Sequence, residues 1–194
     1  MFNCAFSASK RTRAGICVPS AAPLLVALCA DDDLVPAYER RMLNLSSCKI
    51  PRLASDESVL LAELAARGTQ LALMTEASHG AARAVCARRG ISPHILSDGE
   101  AEIKGSAHGA PVSRRARAAR RAERLALLCC EKGVPLSRIA VVAVSPLDCA
   151  ALMEAGWGIA LWSAGYEACH AADVVFPARA EGGLRRALEL ILAA

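Results

Sequence analysis

The stretch LLVALCADDDLV, residues 24–35, decides how the chain folds. It is apolar for seven residues, from Leu24 to Ala30, and then reaches the aspartates Asp31, Asp32 and Asp33. Such a run can be the end of a secretory signal, with Ala-Leu-Cys-Ala as the cleavage site. It can also be a strand buried on both faces that delivers carboxylates to the edge of a sheet. The remainder of the chain favours the strand.

The composition indicates one apolar domain. A chain of 194 residues is long enough to bury a substantial core, and at 54% hydrophobic but only 4% aromatic that core consists mainly of Ala, Leu and Val. A net charge of +4 does not by itself favour a nucleic-acid partner. No run reaches the roughly 18 consecutive apolar residues of a membrane span. We therefore expect neither a membrane nor a nucleic acid as partner.

The cysteines and the N-terminus bear on location. The nine cysteines are odd in number, several lie in apolar runs, and none forms a CxxC pair. We predict reduced thiols that act as small apolar side chains in a cytoplasmic protein. Residues 1–22 contain Lys10, Arg11 and Arg13 and then an apolar segment interrupted by proline, so a disordered tail and an organellar or secretory targeting segment both stay open. A single domain is expected over residues 23–194.

From residue 23 onward, short apolar runs alternate with helical patterns. Predicted strands cover 23–30, 70–75, 138–145, 158–162 and 173–176, and predicted helices cover 56–68, 78–90, 120–133, 146–156 and 182–194. Strands without polar alternation are buried on both faces, and helices between them imply right-handed parallel crossovers. The sequence therefore predicts an α/β fold with a doubly wound, mainly parallel sheet. The stretch 91–117 is predicted to be a surface loop.

Polar residues mark the carboxyl ends of three predicted strands. They are Cys29 to Asp33 after the first strand, Thr75 after the second, and Ser145 to Asp148 after the strand at 138–145. Ser145 is predicted as an N-cap, with Pro146 at the first helical position. In sheets of this kind, ligands bind outside the carboxyl ends of the strands. These residues are the candidate functional site.

The segments CADDD, LALMTEAS and VVAVSPLDCAALMEAG, in this order, resemble the signature sites of the haloacid dehalogenase superfamily. The tail WGIALWSAGYEACHAADVVFPARAEGGLRRALELIL is similar to that of the small capless 3-deoxy-manno-octulosonate 8-phosphate phosphatases. It is also similar to the C-terminal domain of sialic-acid (N-acylneuraminate) cytidylyltransferases. The resemblance covers residues 23–194 and implies a Rossmann-like fold without a cap domain, because only about 20 residues separate CADDDLV from the helix at 56. It also implies a homotetramer and a hairpin at residues 39–53.

The resemblance implies metal-assisted phosphoryl transfer to an aspartate nucleophile. A second aspartate two residues later acts as acid and base, and Mg²⁺ is held by the nucleophile, a backbone carbonyl and an acidic pair after the last strand. A hydroxyl and a lysine bind the phosphate. A divalent cation and a lysine are needed because they screen the repulsion between two anions. The corresponding positions here are Cys29 for the nucleophile, Asp31 for the acid and base, Thr75 for the hydroxyl, Arg121 for the lysine and Asp148 for the remaining metal carboxylate.

Several positions depart from that pattern. A thiolate at Cys29 is a soft ligand that suits Mg²⁺ poorly, and its surroundings should favour the inert thiol. Asp32 and Asp33 replace a family glycine and Thr or Val, Ala143 and Val144 replace Gly-Asp, and Leu147 replaces an asparagine.

These substitutions leave two functions open. One is a pseudophosphatase that acts in oligomerisation or interaction. The other is a Mg²⁺-dependent phosphatase of a phosphorylated sugar acid that uses Asp31, Thr75, Arg121 and Asp148. Two interpretations of the aspartates stay open, a solvated loop with no metal and a weak cation site at Asp31 with Asp33 or Asp148. A plain structural role of Asp148 in the first turn of its helix stays equally open.

The remaining candidates have simpler interpretations. Arg114, Arg117, Arg121 and Arg124 can share one helix face, which we expect to be solvated or to contact an acidic partner subunit rather than phosphate backbones. Trp157 and Trp162 can pack between subunits or in the core, and the core is the expected place. His79 and His170 are expected to be surface or capping residues.

Overall fold

The computed structural model describes residues 21–29, 55–97 and 113–194. The described residues do not include residues 1–20 of the tail expected over 1–22, the aspartates Asp31, Asp32 and Asp33, or the hairpin expected at residues 39–53. For these parts of the chain the sequence predictions stay predictions.

One six-stranded parallel sheet organises the described part of the chain. Its strands are β1 (Leu25–Cys29), β2 (Gln70–Thr75), β3 (His94–Ser97), β4 (Ile139–Ala143), β5 (Trp157–Leu161) and β6 (Val174–Phe176). The spatial order is β3-β2-β1-β4-β5-β6, with every neighbouring pair parallel. This arrangement confirms the predicted α/β fold with a doubly wound parallel sheet.

Helices connect the strands and flank the sheet. They are α1 (Ser55–Ala66), α2 (His79–Arg88), α3 (Arg114–Lys132), α4 (Cys149–Glu154), α5 (Tyr166–Ala171) and α6 (Gly183–Leu192). Helix α1 packs against α6, while α3 contacts α4 and α4 contacts α5. Among the described helices, none combines the length and the apolar character that a membrane crossing requires.

The central strands lie in the middle of the core. Every residue of β1, β4 and β5 is buried, as expected for strands covered by helices on both faces. Small and branched apolar residues dominate these strands, and Trp157 is the largest fully buried side chain. The core therefore matches the composition, which is rich in Ala, Leu and Val and poor in aromatic residues.

Three local predictions were wrong: the loop over residues 91–117, the start of a helix at residue 120, and the burial of Trp162. The stretch 91–117 is not simply a loop, because it contains strand β3 and the first residues of α3. The signal for β3 was weak since this edge strand has four residues, His-Ile-Leu-Ser, all only half-buried. The start of α3 was marked by Ser113, whose side-chain oxygen accepts a hydrogen bond from the Ala116 N–H at 3.2 Å.

The third wrong prediction concerns the segment after β5. Trp162 was expected in the core, but it lies in a single 3₁₀ turn with 74% of its surface exposed. The turn is followed by α5, a six-residue helix that had not been predicted. Helices this short give too few residues for the 3.6-residue period to be visible in the sequence.

Candidate functional site

The candidate site lies at the carboxyl edge of the sheet, where the strand order changes direction. The chain runs outward through β1, β2 and β3 and then returns to place β4 on the other side of β1. Ligands bind at such switch points in doubly wound sheets. Cys29 pairs in register with Met74, the residue before Thr75, while Leu28 pairs with Val142. The three strand ends predicted from the sequence therefore do lie side by side.

Cys29 is the last residue of β1 and is fully buried, with 0% of its surface exposed. The structure thus places a thiol where the resemblance expects a carboxylate. Sulfur is a soft ligand, whereas Mg²⁺ takes hard oxygen ligands in octahedral geometry.

Thr75 ends β2 and is 1% exposed. Its hydroxyl oxygen accepts a hydrogen bond from the Ala77 N–H at 3.1 Å, which fixes the turn that follows the strand. The Ser97 hydroxyl donates to the Ala77 carbonyl at 2.5 Å and ties the end of β3 to the same turn. The turn after β2 is therefore anchored on both sides by hydroxyl groups.

The turn after β4 is closed by a reciprocal capping arrangement. Ser145 is the N-cap of the 3₁₀ turn Pro146–Asp148, and its hydroxyl oxygen accepts from the Leu147 N–H at 3.1 Å. In return, the Asp148 carboxylate accepts from the Ser145 N–H at 2.9 Å. Proline at the first position of this turn lacks the N–H that would otherwise need a partner. The predicted N-cap at Ser145 and the position of Pro146 are confirmed.

Asp148 is held by three donors in a fully buried position. Its Oδ1 accepts from the Arg121 Nη1 at 2.6 Å, and its Oδ2 accepts from the Val144 and Ser145 N–H groups at 3.1 and 2.9 Å. Asp148 is 0% and Arg121 is 2% exposed. A buried ion pair survives desolvation only when its geometry is good and further hydrogen bonds satisfy its atoms, which is the case here. Both carboxylate oxygens are thus already engaged by the protein.

Helix α3 presents a stripe of arginines to the strand ends. Besides Arg121, Arg117 Nη1 lies 2.8 Å from Glu76 Oε1, directly after β2, and Arg124 Nη1 donates to the Ser97 carbonyl at the end of β3. Positions 117, 121 and 124 fall on one helix face because side chains three and four residues apart lie above one another.

The expectation of a solvated arginine face was therefore wrong for three of its four residues. Only Arg114, in the first turn of α3, is exposed as predicted. The acceptors that draw the other three inward, Glu76, Ser97 and Asp148, come from separate strand ends.

The described residues do not fit a Mg²⁺ site. Within residues 21–29, 55–97 and 113–194, no group of three or more His, Cys, Asp or Glu side chains could hold a metal ion. Val144, which the resemblance aligns with the leading metal carboxylate, is apolar and 8% exposed. Asp148 is the remaining carboxylate of the motif in this region, and a cation would have to compete with Arg121 for it.

Other titratable candidates lie away from this edge or on the surface. His79 begins α2 and is exposed, and the exposed His170 stacks on Tyr166 with ring centroids 5.8 Å apart. Burial raises the pKa of the Cys86 thiol to about 11. Burial, followed by the neighbouring Cys130, raises the pKa of Cys129 to about 11 as well. These thiols therefore stay protonated near neutral pH and act as apolar side chains.

Sequence reasoning missed Glu76 and Ser97. Glu76 follows Thr75 directly, so an acidic residue at a strand end was available as a signal. Ser97 could not be found in the same way, because it ends the edge strand that the sequence did not reveal.

Comparison with known proteins places the fold. No known family profile matches the chain, and no curated protein sequence matches it. Among solved structures, a 3-deoxy-D-manno-octulosonate 8-phosphate phosphatase from Moraxella catarrhalis has a TM-score of 0.63 at 20% identity, over 88% of this chain and 86% of that one. That protein was crystallised with a magnesium ion, phosphate and KDO.

Two further structures agree with the first. The cobalt-bound enzyme of the same name from Haemophilus influenzae has a TM-score of 0.62 at 16% identity, over 89% of this chain and 88% of that one. A putative HAD family hydrolase from Streptomyces avermitilis has a TM-score of 0.63 at 17% identity, over 90% and 88%. At these identities the likeness establishes the fold. The fold of the chain is similar to that of these 3-deoxy-manno-octulosonate 8-phosphate phosphatases and of the HAD family hydrolase.

Proposed function

We propose that this chain is a pseudophosphatase, a haloacid-dehalogenase-like domain with a degraded catalytic site that acts in oligomerisation or interaction. The observation that carries the proposal is the buried pair of Arg121 and Asp148, 2.6 Å apart. It engages the remaining carboxylate of the last motif with a guanidinium rather than with a metal ion.

The substitutions around this pair support the same conclusion. A divalent cation is stabilised by several hard anionic oxygens, but the thiol of Cys29 and the isopropyl group of Val144 stand at two of the positions in question. The charge of Asp148 is balanced by that of Arg121. The described residues therefore offer a cation little electrostatic stabilisation, and they offer no carboxylate in place of the nucleophile.

The interaction role is supported by apolar side chains on the surface. Met153 is 68%, Leu127 is 63%, Trp162 is 74% and Tyr166 is 83% exposed. Side chains of this kind are candidate contacts for a partner subunit. The resemblance implies a homotetramer, and light scattering at micromolar concentration tests it. A monomer would remove the oligomerisation role.

The experiment is a phosphatase assay with Mg²⁺ on an aryl phosphate and on 3-deoxy-manno-octulosonate 8-phosphate. We expect no turnover above background for the unmodified protein. The Cys29→Asp/Val144→Asp variant, which restores both missing carboxylates, is the matched positive comparison. Turnover by the unmodified protein that is lost in Asp31→Asn would overturn the proposal.

A second candidate is a Mg²⁺-dependent phosphatase of a phosphorylated sugar acid. It is favoured by the position of Thr75 and Arg121 at one edge of the sheet, where a hydroxyl and a guanidinium can bind phosphate. Such an enzyme would use Asp31, Thr75, Arg121 and Asp148, with Mg²⁺ as cofactor. The same assay distinguishes the two candidates. The cytoplasmic location, the tail over residues 1–22 and the single domain over residues 23–194 stay predictions.

A further inference from the structure

A cleft lies at the amino-terminal edge of the sheet, away from the candidate site. It is formed by the C-terminal half of α1, the start of β2, and the connection from α2 to β3. Its volume is about 320 Å³, which reaches the lower end of the roughly 300–1,000 Å³ range of small-molecule sites. Strand β2 begins in the cleft at Gln70 and ends at Thr75, so at about 3.3 Å per residue the two regions are roughly 17 Å apart.

The floor of the cleft is apolar and its rim is polar. Leu71 and Ile91 form part of the floor and are 7% and 5% exposed. The rim contains four side chains that can form hydrogen bonds, those of Thr69, Gln70, Ser92 and His94. Thr69 and Gln70 use their backbone N–H groups to bond Leu64 and Leu24 at 3.1 and 2.9 Å. The four side chains make no hydrogen bond within the part of the chain that the structure describes.

The charge of the lining is the third relevant feature. The nine lining residues that lie in the described part of the chain include no Asp, Glu, Lys or Arg. A charged ligand would lose part of its hydration here without gaining a counter-ion, so it should bind more weakly than an uncharged ligand of the same size. Hydroxyl, amide and imidazole groups can instead donate to and accept from a neutral ligand.

We propose that this cleft binds a small uncharged ligand that combines an apolar ring or chain with a hydrogen-bonding group such as an amide or hydroxyl. The apolar part lies on Leu71 and Ile91, and the polar part bonds to the rim. The space exists because the side of the cleft formed by α1 carries only Ala62 and Ala65. Since the cleft and the switch point are at opposite edges of the sheet, this site does not depend on the function proposed above.

The test is a titration of the full chain with benzamide, followed by ¹H–¹⁵N NMR, with benzoate and benzylamine as charged analogues of the same size. We expect benzamide to shift the amide resonances of residues 69–71 and 90–92 saturably. Each charged analogue should bind at least about tenfold more weakly. No saturable shift with benzamide, or equal binding of the three compounds, would overturn the proposal.

Two variants locate the binding. Ala65→Phe places a large side chain at the cleft and should abolish the benzamide shifts, whereas Ala66→Phe, one residue farther on the exposed surface, should leave them unchanged. Gln70→Ala, which removes a rim amide without filling space, should weaken binding several-fold. Binding that is unaffected by both Ala65→Phe and Gln70→Ala would place the ligand elsewhere and refute the assignment.

Discussion

Replacing Arg121 by methionine tests whether the ion pair with Asp148 stabilises the switch point. Methionine keeps most of the length of the arginine stem but removes the guanidinium. The Asp148 carboxylate, 0% exposed, would then keep only the N–H groups of Val144 and Ser145. Removing one partner of a buried pair costs about 3–5 kcal/mol, since it leaves a charge without compensation. For a chain of this size that corresponds to a fall in melting temperature of about 6–20 °C.

The assay is urea denaturation followed by circular dichroism, with Arg117→Met as the matched control. Arg117 forms a similar pair with Glu76, but its side chain is 34% exposed, so its loss should cost about 1 kcal/mol or less. Adding Asp148→Asn to Arg121→Met removes the stranded charge and should recover at least about 1 kcal/mol. A cost for Arg121→Met no larger than that for Arg117→Met, or no recovery in the double variant, would refute the reasoning.

Three further predictions concern the rest of the fold. The thiols of Cys86 and Cys129 have a pKa of about 11 against an ordinary 9.0, so their stabilising contribution is complete below pH 9 and is lost as the pH rises towards 11. The fall in urea midpoint over this range should be smaller in Cys86→Ala/Cys129→Ala, and an equal fall would contradict the assignment. Glu57 forms a buried ion pair with Arg179 through two hydrogen bonds of 3.0 and 2.5 Å, so Glu57→Gln should lower the free energy of unfolding in urea by about 1–3 kcal/mol. Glu63→Gln, at the exposed pair with Arg67, should lower it by under about 0.5 kcal/mol. Gly183→Ala should cost about 1–3 kcal/mol or more, because the new Cβ would lie 1.9 Å from the Pro177 carbonyl oxygen. Thermal melts should show a larger loss than for Gly80→Ala, whose Cβ would meet nothing within 4 Å.

The central strands could be predicted because their signal is local. Strands β1, β2, β4 and β5 are uninterrupted apolar runs, and α1, α2 and α3 end near Gly68, Gly90 and Gly133, each with a positive φ that glycine adopts without strain. Strand β3 and helix α5 were missed because they are short and only partly buried. Their formation depends on neighbours that are distant in sequence.

The sequence predicted where the candidate site lies, but not which of its side chains bond to one another. The strand ends at Cys29, Thr75 and Ser145 follow from the apolar runs, since parallel strands end at one edge of a sheet. The bond between Arg121 and Asp148 joins residues 27 apart, and no local pattern distinguishes a buried arginine from a solvated one. The packing of α3 on the strand ends determines which arginines are buried.

Calorimetric titration with Mg²⁺ tests the central claim, that this site does not hold the metal that phosphoryl transfer requires. The unmodified protein and the Cys29→Asp/Val144→Asp variant are titrated under the same conditions. Our account predicts no saturable heat for the unmodified protein and a measurable affinity for the variant, in which two hard oxygen ligands are restored. Saturable Mg²⁺ binding by the unmodified protein that disappears in Asp148→Asn would contradict it.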